Sequence, residues 1–186
     1  MTMNAIVQAR ASQAAVQVPA EPEQFLTFML AGEAFAINIL SIKEIIEYHS
    51  LTEVPMMPAS VRGVINLRGA VVPVMDLLAR FGRMPSPVTK RTCIVIVEVE
   101  TEVAGESERQ VIGVVVDAVN EVLDIAGADI EPAPAFGARI RTDFIQGMGK
   151  VRGKFVIVLN VDRVLTLEES TAVSRVVDST APALPC

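Results

Sequence analysis

The sequence predicts a mainly all-β protein: two small, related β-barrels packed together, with a few short helices. Three observations carry this reading. Short β-branched runs alternate with turn residues along most of the 186-residue chain, a pattern of barrels rather than of strands separated by long helices. An Arg-Gly hairpin signal stands between such runs twice, at Arg68-Gly69 and Arg152-Gly153, where glycine accepts positive φ. Its surroundings repeat as well: Gly63-x4-Arg68-Gly69 returns as Gly147-x4-Arg152-Gly153, each matched pair 84 residues apart. Two copies at so long a period mean two subdomains, not a solenoid.

Taken in order, residues 1–22 read as a disordered tail, rich in Ala, Gln and Val without a clean period and closed by Pro19 and Pro22. A folded region follows over 23–168, with a first barrel at about 23–85, a second at about 90–160 and a closing helix at 161–168. Residues 25–30 form a strand, Ala31-Gly32-Glu33 a turn, and 34–37 the returning strand. Strands at 61–67 and 70–74 meet at Arg68-Gly69, and strands at 148–151 and 154–159 meet at Arg152-Gly153. Strands at 92–100 and 110–116 flank a polar loop, 101–109. Short helices are expected at 39–42, 76–81 and 161–165, the last two capped by Asp76 and Asn160. Residues 42–47 align with 119–124 at a spacing of 77, so the second copy holds seven extra residues, around Pro132 to Arg141. Residues 169–186 read as a flexible tail. Each half amounts to about five strands, so side chains fill the barrels and function falls to the groove between them and to their surfaces.

Bulk properties narrow the class. Hydrophobic residues make up 51% of the chain and charged residues 20%, enough for a real core. A net charge of -6 argues against a nucleic-acid partner. No apolar run has the length of a membrane-spanning helix and the N-terminus lacks a signal-peptide pattern, so a cytoplasmic protein is expected. Cys93 sits in an apolar run as a small buried group and Cys186 ends the chain; neither belongs to a disulfide or metal-binding spacing.

No catalytic set emerges. The one histidine, His49, lies in a polar turn, and no Gly-x-Ser-x-Gly elbow accompanies it. The pairs Glu44/Glu47 and Glu168/Glu169 read as solvated faces. Gly147-Met148-Gly149 precedes a strand and lacks the lysine of a phosphate loop. The expectation is no enzyme, no cofactor and no metal.

One block carries a resemblance: Pro55-Met56-Met57-Pro58, then Gly63-Val64-Ile65-Asn66-Leu67-Arg68-Gly69, then Pro73-Val74-Met75-Asp76-Leu77. With Ile37 to Ile46 and Gly113 to Val119, it resembles the CheW family signature in three ordered blocks over about 24–167. The resemblance implies a pair of five-stranded, SH3-like barrels and a non-enzymatic cytoplasmic adaptor. Such an adaptor couples transmembrane chemoreceptors to a CheA-type histidine kinase and is recruited to membrane receptor clusters. By residue it implies a groove between the barrels for the receptor's helical tip, with Ile39, Ile42, Glu44 and Arg68, the last pairing with a carboxylate such as Glu44. Kinase contacts fall on Val54, Met56, Met57 and Gly63, and a ring-forming contact to the kinase on Phe136. Simpler readings stay open beside these: a hairpin-turn residue for Arg68, a folding role for Gly63, core packing for Val54, Met56 and Met57. Departures from the pattern are the polar insertion at 102–109, Asn160 in place of Asp, and both tails. The alternatives are the same fold in another chemosensory circuit, serving surface motility or a non-motility kinase array, or a small-molecule-binding barrel.

Overall fold

The computed structural model describes residues 21–134 and 140–166. Among the described residues eleven strands run in chain order: β1 (Glu23–Leu30), β2 (Glu33–Asn38), β3 (Ile42–Glu47), β4 (Val61–Leu67), β5 (Ala70–Asp76), β6 (Cys93–Val103), β7 (Glu106–Val116), β8 (Ala118–Ile125), β9 (Ile130–Glu131), β10 (Ile145–Val151) and β11 (Lys154–Leu159). Two short helices, α1 (Leu77–Arg80) and α2 (Val161–Leu165), each follow a hairpin. Their N-caps are the expected ones: Asp76 accepts from the Ala79 N–H and Asn160 from the Arg163 N–H.

The strands form two curled sheets, one ordered β3-β6-β7-β5-β4 and the other β8-β1-β2-β11-β10-β9. The sixth strand of the second sheet is only two residues long, and its counterpart in the first is the single bridge from Thr52 to Val64. This is the pair of small SH3-like barrels that the sequence implied. Their division along the chain differs from the expected 23–85 and 90–160. One sheet takes the continuous stretch from β3 to β7, and the other joins β1 and β2 to β8–β11. In terms of the repeat, each copy's opening hairpin, β1–β2 or β6–β7, pairs with the later strands of the other copy. Connection length explains the exchange. A single residue, Asp117, separates β7 from β8, too short for the two-residue turn of a tight hairpin, so the chain passes into the other sheet.

This exchange buries the opening hairpins on both faces. On β6, Ile94 and Ile96 fill one barrel while Val95, Val97 and Val99 face the space between the sheets. On β1, Phe25 fills the other barrel while Leu26, Phe28 and Leu30 face the same central space. That space is the largest core among the described residues, completed by Leu77, Leu78, Val164 and Leu165 from the helices, and its residual cavity is about 10 Å³, barely one water. The centre between the barrels is therefore packed core. The barrel interiors are filled too: a Cβ at Gly113 would stand 2.9 Å from Ile94 and 3.1 Å from Val74.

Other expectations shift in detail. The expected helix at 39–42 is a single 3-10 turn, Ile39–Ser41. The polar loop at 101–109 is ordered ribbon: β6 and β7 stay paired from Cys93–Val116 out to Val103–Glu106, around a two-residue Ala104-Gly105 turn. Cys93 is half-buried rather than buried. The closing helix stops at Leu165, and most of both tails lies outside the described residues. No helix among the described residues is long and apolar enough to cross a membrane.

Candidate functional site

The β4–β5 hairpin explains its own sequence. Arg68 (φ 51°) and Gly69 (φ 87°) both take positive φ, as a two-residue hairpin turn matching strand twist requires. Asn66 Oδ1 accepts from the Gly69 N–H at 2.9 Å, and Leu67 packs on the barrel interior. Asn-Leu-Arg-Gly is thus a turn cap, a core anchor, a projecting cation and a left-handed hinge.

The projecting cation reaches β3. Arg68 Nη1 lies 3.1 Å from Glu44 Oε1, and Nη2 donates to Oε2 at 3.1 Å, the two-pronged geometry in which arginine holds a carboxylate best. Glu44 is 25% exposed and Arg68 80%, so the guanidinium is oriented on one side and open to solvent on the other. Around the pair lies a groove of about 540 Å³ lined by Ile42, Leu67, Ala70, Val72, Ile96 and Val111. It opens at the mouth of the first sheet, between β3 and the hairpin, not between the barrels. Apolar walls with one oriented cation suit a partner helix that brings an apolar face and a carboxylate.

Of the four expected groove residues, Ile42, Glu44 and Arg68 come together here, while Ile39 packs against the central core. Among the expected kinase contacts, Met56 is 85% exposed and Val54 lies beside it in the same exposed segment. Met57 packs on the central core. Gly63 is buried and offers no surface: a Cβ there would stand 2.5 Å from the Thr52 carbonyl oxygen, so its role is to let β4 pass that backbone. Phe136 lies outside the described residues.

Three features escaped sequence reasoning. Leu40, on the 3-10 turn before β3, is almost fully exposed. Arg62 on β4 pairs with the buried Asp76 (Nε to Oδ2, 3.0 Å) and donates to the Ser86 carbonyl at 3.0 Å. It thereby draws the segment carrying exposed Met84 and Val88 against the start of the hairpin. The third is a charge network beside the groove: Lys43 pairs with Glu98, which also meets Arg109 at 3.6 Å. The hydrogen bond from Lys43 and its charge hold the Glu98 carboxyl below the usual glutamate range. A signal for Leu40 was present in the sequence, an apolar residue in a turn-length gap between strands.

Elsewhere the titratable groups are placed for structure. His49 is exposed, its Nδ1 3.1 Å from the Glu47 carbonyl oxygen. Burial, and then the Glu47 charge, push the Cys93 thiol up from its ordinary value, away from the thiolate form a nucleophile needs.

The chain is similar to known proteins. A family model described as CheW-like domain matches residues 24–169. The chain is 31% identical over 157 residues to the chemotaxis protein CheW of Klebsiella aerogenes, covering 84% of this chain and 90% of that one. It is 32% identical over 149 residues to CheW of Rhizobium meliloti, covering 80% and 91%. The crystal structure of the scaffolding protein CheW from Thermoanaerobacter tengcongensis superposes with a TM-score of 0.68 at 34% identity, covering 79% of this chain and 90% of that one. The match runs through both barrels and includes the Asn-Leu-Arg-Gly hairpin: the chain belongs to the CheW family.

Proposed function

We propose that this protein is a non-enzymatic adaptor that couples the cytoplasmic tips of transmembrane chemoreceptors to the regulatory domain of a CheA-type histidine kinase. In this reading it works in the cytoplasm, recruited to receptor clusters. The observation that carries the reading is the groove at the mouth of the first barrel. Its apolar walls and the Arg68–Glu44 pair sit on paired strands, so the site is organised before a partner arrives. A helical receptor tip fits it, with apolar residues against Ile42 and Val72 and a carboxylate on the open side of Arg68. The exposed Val54 and Met56 form an adaptable apolar surface suited to the kinase's related barrel. Filled barrel interiors count against a small-molecule site.

The test is calorimetric titration of the purified chain with a cognate receptor signalling-tip fragment and with the kinase regulatory domain. Binding to both at about tens of micromolar or tighter is expected, and Arg68→Ala weakens the receptor arm at unchanged folding. Absence of binding to either partner sinks the reading.

A further inference from the structure

The β6–β7 ribbon is long by the chain's own standard. Val99 and Gln110 occupy the places of Leu30 and Glu33, the residues flanking the Ala31-Gly32 turn of the matching hairpin. Between them the ribbon adds residues 100–103 and 106–109 and ends in the same Ala-Gly turn. Eight residues, four per strand, are thus built onto one copy only.

The addition changes what happens at the ribbon's base. In the other sheet the short hairpin is stitched down by Asp117, whose Oδ2 accepts from the Ala31 N–H at 2.8 Å and whose own N–H donates to the Met29 carbonyl at 3.0 Å. The position matching Asp117 in the first copy is Leu40, 90% exposed. With the ribbon's turn carried outward there is no tip here to stitch. The space stays open as a groove of about 440 Å³. It shares Ile42 and Lys43 with the Arg68 groove, so the two are continuous.

Its chemistry is an exposed leucine beside an acidic wall. Both cations are committed: Lys43 to Glu98, and Arg109 to Glu98 and to Glu100 at 3.4 Å. Asp162 Oδ1 accepts from the Glu100 N–H at 3.1 Å, and the residue lines the groove. Beyond them, on the same ribbon face as Glu98 and Glu100, stands Glu102, also exposed. The walls therefore carry more anionic than cationic groups, complementary to a basic partner.

We infer that this groove is a second compartment of the docking site, seating a partner helix with an apolar side chain on Leu40 and a lysine or arginine one turn away, against Glu100 and Asp162. Residues one turn apart share a helix face, so one helix lying across both grooves serves both contacts. The inference rests on the adaptor reading above, and the ribbon makes it a specificity element of this chain.

The test titrates the receptor signalling-tip fragment, at low and high salt, into the full chain and four variants. These are Leu40→Ser, the double variant Glu100→Gln with Asp162→Asn, a chain with residues 100–103 and 106–109 excised, and Arg68→Ala. Leu40→Ser and the double variant are each expected to weaken binding about tenfold, and the double variant to flatten its salt dependence. Should the excised chain misfold, the point variants decide alone. Affinities within twofold of the parent, with an unchanged salt slope, overturn the inference. If Arg68→Ala still weakens binding in that case, the adaptor reading survives; if it does not, both fall. Self-association of the parent in ultracentrifugation, abolished by Leu40→Ser while fragment binding stays intact, would assign the groove to a second copy instead.

Discussion

The two Arg-Gly hairpins share a backbone and differ in what they carry. Arg152 (φ 52°) and Gly153 (φ 76°) reproduce the turn of Arg68 and Gly69, and each arginine reaches the glutamate at the matching place on the neighbouring edge strand. Arg68 grips Glu44 with two contacts of 3.1 Å, the carboxylate only 25% exposed. Arg152 stands 3.7 Å from a Glu121 that is 55% exposed, through one contact. The same contrast recurs inside. Arg62 and buried Asp76 pair in the first copy, and the matching residues of the second are Gln146 and Asn160. Asn160 keeps the helix cap without the charge. The frame is the same in both copies, and the oriented charge belongs to the one that holds the Arg68 groove.

The largest effect is expected where the frame itself is crowded. Gly63→Ala and Gly147→Ala should each destabilise by about 1–3 kcal/mol, since a Cβ meets the Thr52 carbonyl in one copy and Ile130 with the Glu131 carbonyl in the other. Urea unfolding measures this, and a tolerated alanine at either site would break the equivalence of the copies. The buried pair stands level with the upper end of that range. Asp76→Ala should cost about 3 kcal/mol by leaving Arg62 uncompensated and α1 uncapped. Importing the second copy's solution, Arg62→Gln with Asp76→Asn, should cost less than either single change, as a double-mutant cycle on unfolding energies will read out.

Smaller still is Gly69→Val, expected to lose about 1 kcal/mol by denaturation, from positive φ rather than from a clash, the space around Gly69 being open. Arg68→Ala should leave stability within about 1 kcal/mol yet weaken receptor-fragment binding, whereas Arg152→Ala should leave binding unchanged; equal losses would erase the distinction. The smallest effect is a titration. Lys43→Met should raise the Glu98 pKa toward the ordinary glutamate value, followed by carbon-detected NMR. Since the folded pKa is the lower one, any stability from this contact is present above the ordinary glutamate pKa and fades as pH falls through the folded value.

Much of this was legible in the sequence because it is local. Hairpin turns, helix caps and the repeat depend on residues a few positions apart, and Arg68, Gly69, Asp76 and Asn160 announce them. The Arg68–Glu44 pair was readable by resemblance. Sheet membership was not, because covalent order shows which strands follow one another and not which edges meet; only the one-residue β7–β8 connection hinted at the crossing. The ribbon at 101–109 read as a loop because its exposed strands are polar on both faces, which removes the period-2 signal. The groove around Arg68 opens at one barrel's mouth, while one apolar face each of β1 and β6 fills the centre between the barrels.

The exchange of hairpins also sets an order of assembly. The barrel from β3 to β7 is one unbroken stretch of chain, so a nascent polypeptide can complete it while its C-terminal part is still being made. The other barrel must wait, its N-terminal hairpin held open until strands more than ninety positions downstream emerge to join it at Phe25–Leu123 and Leu26–Val122. During that interval the apolar faces of Phe25, Phe28 and Phe35 are unpaired, so a hairpin made before the first barrel waits until after it to find its partners.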